Sequence, residues 1–124
     1  MPVPILKQGD VLIASMQEAL TDHALVQLRD DLSERIGRVR ARAVVLDVTA
    51  LDVLDSFATR TIRGIAYTAK LRGARAVVVG IQPEVAFAMV QLGLTLDGVD
   101  TALDLEEGLA LITSGAEGGA RHGR

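Results

Sequence analysis

Two runs in the chain, Ala43-Val-Val-Leu-Asp-Val48 and Ala74-Arg-Ala-Val-Val-Val-Gly80, are rich in β-branched residues and show no polar–apolar alternation. A strand with one wet face alternates with period two, so such runs fit strands covered on both faces. Strands of that kind need amphipathic helices between them. The sequence supplies one after each run and one before the first.

The helix before the first run is the clearest. Leu25, Leu28, Leu32, Ile36 and Val39 recur at spacings of three and four and predict a helix over Thr21 to Arg40. Thr21 suits its N-cap, Asp22 sits where the helix dipole favours an anion, and Arg35, Arg38 and Arg40 cluster at the far end. A second helix is expected from about Ser56 to Leu71, with Phe57, Ile62, Ile65, Ala66 and Ala69 on one side and Gly73 ending it. A third opens at Pro83, a residue suited to the first helical position. Its inner face is read as Val85, Ala86, Met89 and Leu92, with Gly93 as the stop.

Before the first helix, Val3 to Lys7 and Val11 to Met16 flank the turn signal Gln8-Gly9-Asp10 and read as a hairpin. Val99 to Ala102 is a short edge strand. Asp104 and Glu107 resemble a capping box that opens a last helix with Leu105, Leu109 and Ile112 inward. The order β-β-α-β-α-β-α-β-α predicts an α/β fold: a mixed, mostly parallel sheet of four to five strands flanked by about four helices. One domain over residues 1–113 is expected, with a disordered, Gly- and Ala-rich tail over 114–124.

Composition narrows the function. Of 124 residues, 49% are apolar, enough for a core without external staples. There is no cysteine, so disulfides and thiolate metal sites are ruled out. Neither a signal peptide nor a membrane span is visible, and a cytoplasmic location is expected. Net charge is −3 and only Phe57, Tyr67 and Phe87 are aromatic. The arginines between Arg29 and Arg42 are interleaved with Asp30, Asp31 and Glu34, a mixed solvated face and not a phosphate track. Nucleic acid is therefore not expected as a partner.

Catalytic groupings are sparse. His23 and His122 lack a second metal ligand at zinc spacing, and both are expected to be solvent-exposed. There is no Gly-x-Ser-x-Gly elbow, no phosphate-cradling Gly-x-x-x-x-Gly-Lys-Ser/Thr, and no Gly-x-Gly-x-x-Gly. Asp47, Asp52 and Asp55 gather near the carboxyl end of a central strand, where open α/β sheets build their sites. Magnesium binding of the receiver-domain type would also need a lysine after a late strand, and the only lysines are Lys7 and Lys70. The plainer expectation is a hydrogen-bonded, partly buried Asp47 with Asp52 and Asp55 as exposed loop residues. No metal and no cofactor are expected.

Ser56 opens the second helix and by position reads as its N-cap. A hydroxyl there can serve only to satisfy a free amide. It can also accept a phosphate, which adds about −1.5 to −2 charges at the positive end of a helix dipole. Thr59, one turn on, is a secondary acceptor candidate.

Asp55-Ser-Phe-Ala-Thr59, following Val-Val-Leu-Asp-Val-Thr49, resembles the phosphorylation loop of STAS domains, the anti-anti-sigma-factor family. Pro4-Ile-Leu-Lys7, Leu71-x-Gly-Ala74, Gly80-Ile-Gln-Pro83, Leu92-Gly93 and Thr101-Ala-Leu-Asp-Leu-Glu106 resemble its RsbS branch, the single-domain antagonists of the bacterial stressosome. The resemblance covers residues 3 to 112. It implies a non-enzymatic scaffold that self-associates and assembles with RsbR-like co-antagonists. The scaffold would sequester an RsbT-like serine/threonine kinase until phosphorylated, and an RsbX-like phosphatase would reset it. The family's phosphoserine falls on Ser56, and Asp52, Asp55, Phe57, Thr59 and Arg60 are the implied docking residues. A conventional anti-anti-sigma factor, which binds an anti-sigma kinase, is the alternative within the family. A small-ligand or nucleotide-binding α/β domain is the alternative outside it.

Overall fold

The computed structural model describes residues 3–118. They form β1 (Ile5–Gln8), β2 (Val11–Ser15), α1 (Asp22–Val39), β3 (Ala43–Asp47), α2 (Ser56–Leu71), β4 (Arg75–Val79), α3 (Pro83–Gln91), β5 (Asp100–Ala102) and α4 (Leu105–Gly118). This is the expected order. The five strands lie side by side in sequence order, β1 antiparallel to β2 and every later neighbour parallel.

Each parallel step moves the chain one strand further in the same direction. Right-handed crossovers then place α1, α2 and α3 on one face of the sheet. On that face Leu12, Ala14, Met16, Val44, Leu46, Val48 and Val78 pack with Leu25, Leu28, Leu32, Ile36, Ile62, Ile65, Val85 and Met89. On the other face Val11, Ile13, Ala43, Val45, Val77 and Val79 meet Ile112 of α4, with Leu105, Leu109 and Leu111 beside it. Val44, Val45, Leu46, Val77, Val78 and Val79 are all fully buried, which is why β3 and β4 carry no alternation.

The helix ends follow local chemistry. Thr21 caps α1, its Oγ1 accepting from the Ala24 amide at 3.1 Å. Arg40 closes α1 in the left-handed conformation. At α4, Asp104 accepts from the Glu107 amide at 2.8 Å, and the Glu107 carboxylate accepts from the Leu103 amide at 2.8 Å. The exchange expected of Asp104 and Glu107 is therefore made, with the return bond one residue upstream of the cap.

Three details depart from the sequence reading. Of the inner face expected for α3, Val85 and Met89 are buried, but Ala86 and Leu92 are exposed. The inward face is the i, i+4 pair Val85 and Met89; Ala86 lies about 100° round from Val85, and Leu92 is already the C-cap. β5 starts at Asp100; Val99 instead donates its amide to the Leu96 carbonyl in a turn. Helix α4 continues through Gly118, past the boundary expected near residue 113. The rest of the expected tail, with His122, lies outside the described residues.

Two helical glycines sit in opposite surroundings. A Cβ on Gly108 would come within 2.6 Å of Val79 Cγ1, so this glycine lets α4 approach the sheet. A Cβ on Gly64 would meet nothing within 4 Å. Gly108→Leu is expected to destabilise the fold by about 1–3 kcal/mol through overpacking. Gly64→Ala is expected to stabilise it by about 0.5–1 kcal/mol through helix propensity. Urea unfolding of the two variants checks both signs.

Candidate functional site

The site sits where β3 hands the chain to α2, at the carboxyl edge of the sheet. Two anchors fix the start of this connection. Asp47, half-buried, accepts from both the amide and the hydroxyl of Thr49 through Oδ1, at 3.0 and 2.6 Å. The Thr49 carbonyl accepts from Gln82 Nε2 at 2.8 Å. Gly80 makes the close approach: its φ is +82°, and any side chain there would strike Thr49. The Val48 amide donates to the Val79 carbonyl, extending the β3–β4 ladder by one bond.

The connection is then held down by Leu51 and Leu54, 3% and 5% exposed, which reach the core within an otherwise polar stretch. Asp52 and Val53 between them face solvent. With Met16, Leu20, Leu25 and Ala58, these leucines line a notch of about 30 Å³ beside Asp55. That is about the room one water occupies, far below the ~300 Å³ of a small-molecule pocket. A shallow groove of about 270 Å³ lies further along the sheet edge, lined by Ser15, Gln17, Asp47 and Thr49.

At the start of α2 the cap is Asp55, not Ser56. Its carboxylate accepts from the Ala58 amide at 2.8 Å, and its backbone is extended. Ser56 is the first helical residue and is exposed. Aspartate and serine are comparable caps, so two adjacent candidates could not be ranked from their identity. The correction matters chemically. The Ser56 hydroxyl is not needed as the cap, so modifying it leaves the cap bond in place.

Thr59 does not share this surface. It is 0% exposed, and its hydroxyl donates to the Asp55 carbonyl at 2.9 Å. The candidate acceptor and docking residue is thus covered while α2 is intact, its hydroxyl held in the one-turn back bond usual for a helical threonine. Thr61, 8% exposed, is tied in the same way to the Phe57 carbonyl. Phe57 is half-buried against the core and anchors the first turn. Asp52, Asp55, Ser56 and Arg60 are each exposed. Among the described residues no three His, Cys, Asp or Glu side chains converge on a metal position. No helix among them is long and apolar enough to cross a membrane.

Some of this was missed in the sequence. The Thr49–Gln82 bond joins residues 33 apart, with no local pattern to reveal it. The roles of Leu51 and Leu54 had a weak signal, two leucines three apart in a polar loop.

The STAS-domain family model matches residues 3–108. The chain belongs to the STAS family. Its solved neighbours include RsbS of Moorella thermoacetica carrying a serine-to-glutamate substitution, 36% identical with a TM-score of 0.80, covering 93% of this chain and 97% of that one. A chain of the solved stressosome is 36% identical with a TM-score of 0.76, over 91% of this chain and 98% of that one. The anti-sigma factor antagonist SpoIIAA shares the STAS fold, with a TM-score of 0.69 at 15% identity over 91% of this chain and 98% of its own. In sequence, the RsbT co-antagonist protein RsbRA of Bacillus subtilis is 29% identical over 67% of this chain and 30% of its own length. RsbRD of the same organism is 27% identical over 88% of this chain and 39% of its own length. This STAS domain thus spans about a third of the length of those two relatives.

The cap assignment yields a stability test. Asp55→Ala removes the acceptor for the Ala58 amide and is expected to cost about 1 kcal/mol. Asp55→Asn keeps a cap acceptor and should stay within a few tenths of a kcal/mol of the parent. If thermal melts show equal losses for both, the cap carboxylate is not what stabilises this helix start.

Proposed function

We propose that this STAS domain is a phosphorylation-controlled antagonist of the stressosome type, a non-catalytic scaffold that sequesters an RsbT-like serine/threonine kinase until Ser56 is phosphorylated. The observation that carries the proposal is the placement of Ser56. It is exposed on the first turn of α2, its hydroxyl is not the cap, and exposed Asp55 precedes it in the chain while exposed Arg60 follows one helical turn on. The chain is 36% identical to an RsbS and to a stressosome chain but 15% identical to SpoIIAA, which favours the RsbS-like role over that of a conventional anti-anti-sigma factor.

The physical logic runs through charge at a docking face. A phosphate on Ser56 lies at the positive end of the α2 dipole, so the fold tolerates it. A partner seated over that end must desolvate the added charge or leave. The partners in this scheme are RsbR-like co-antagonist STAS proteins for assembly, further copies of this chain, the kinase, and an RsbX-like phosphatase that resets Ser56. The setting is cytoplasmic.

Incubation with an RsbT-like kinase and ATP, followed by phosphosite mapping, should find label on Ser56 and none on Thr59. Ser56→Ala should abolish it; persistence of full labelling in that variant sinks the assignment. Phosphorylated chain should bind the kinase at least about ten-fold more weakly, a difference of about 1.4 kcal/mol. Mixing with an RsbR-like partner should give a large assembly by light scattering, whereas a stable monomer or dimer would point to the anti-anti-sigma role.

A further inference from the structure

Ser56 and Arg60 are both exposed and stand four residues apart on α2. That spacing places them on one face, one turn apart, with Cβ atoms about 5–6 Å from each other. An anion N-terminal to a cation is the favourable orientation for such a pair. Among the described residues Arg60 makes no ion pair. Four other arginines are paired, Arg29 with Asp30, Arg38 with Glu34, Arg42 with Asp10 and Arg75 with Asp100, while Arg35, Arg40 and Arg72 share with Arg60 the lack of an ion pair among the described residues. Arg63, the next arginine along α2, donates through Nη1 to the Thr95 carbonyl at 2.7 Å. The nearest acid in sequence, Asp55, already serves the Ala58 amide.

We propose that a phosphate on Ser56 captures Arg60 within α2, forming an intrahelical phosphoserine–guanidinium pair that withdraws this arginine from the docking face. The proposal rests on reading Ser56 as a phosphoacceptor. The planar guanidinium fork matches two phosphate oxygens, and Arg60 has no described partner to give up. In the unmodified chain Arg60 presents a cation to an acidic group on a bound partner. After modification that cation is neutralised from its own helix. Phosphorylation thereby removes an attractive contact from the face as well as adding charge to it, and one event acts on docking twice.

Other charges share the neighbourhood. Asp52 and Asp55 flank the serine, Glu18 and Asp22 border the β2–α1 segment that lines the adjoining notch, and Arg63 lies one turn below Arg60. The carboxylates oppose ionisation of the phosphate, and the helix end favours it. These influences are common to all variants at position 60, so a comparison across them isolates Arg60.

The test uses the full chain with phosphoserine incorporated at position 56 during translation, which requires no kinase. ³¹P NMR titration reads the second ionisation of the phosphate, about pH 6 for an ordinary phosphoserine. Pairing with Arg60 favours the dianion, so its midpoint should lie lower than in Arg60→Gln by about 0.3 pH unit or more. Arg60→Lys should fall between them, and added salt should shrink the gap. Arg60→Lys also guards against loss of fold in the glutamine variant. Coincident titrations for Arg60 and Arg60→Gln overturn the proposal. So does a gap that appears only in Arg63→Gln, which would hand the phosphate to the other arginine. Absence of kinase labelling at Ser56 alongside a clear titration gap would remove the functional reading and leave the pair standing. Labelling with coincident titrations would do the reverse.

Discussion

The burial of β3 and β4 on both faces is the constraint from which the rest of the molecule follows. Val44, Val45, Leu46, Val77, Val78 and Val79 have no access to solvent on either side of the sheet. Each face therefore needs its own helical cover, and the two covers differ. Three crossover helices shield one face as a consequence of strand order. The other is closed by α4, whose approach depends on the missing side chain of Gly108 over Val79. With β3 and β4 locked from both sides, the loop at their carboxyl edge can be held rigid by a few polar bonds, those of Asp47, Thr49 and Gln82.

Most of the architecture was legible because its signals are periodic or local. The leucine stripe of α1, the uninterrupted valines of β3 and β4, Thr21 as a cap and Pro83 at a helix start all act through neighbours a few residues away. What stayed hidden depended on distance or on fine competition. Leu92 and Ala86 have the composition of core residues, yet Ala86 lies about 100° round the helix from Val85 and Leu92 falls at the C-cap, so neither turns inward. Asp55 and Ser56 are both good caps, and only geometry separates them. Thr59 stood second to Ser56 in the sequence; the two lie toward the same side of α2, and only the structure shows that Thr59, one turn in from the helix end, is buried while Ser56 at that end is exposed.

The start of α2 is built so that a change at Ser56 would leave the fold beneath it intact. Leu51 and Leu54 anchor the loop, Phe57 anchors the first turn, and the cap bond belongs to Asp55. Ser56 is therefore surrounded by residues with structural duties while having none that a phosphate would cancel. Its exposed neighbours are charged, and charge is what a phosphate can most directly rearrange.

The position of Ser56 inside the first helical turn bears on how an enzyme could find it. A segment the length of α2 is at best marginally helical when cut free, since helix nucleation is costly and most of its stability comes from packing. The arrangement of Ser56 with Asp52, Asp55 and Arg60 thus exists only while Ile62, Ile65 and Ala69 hold α2 on the sheet. Under the proposed function, a kinase that recognises this arrangement would read a three-dimensional epitope and not a linear address, and an unfolded copy of the chain, carrying the same letters, would not present it.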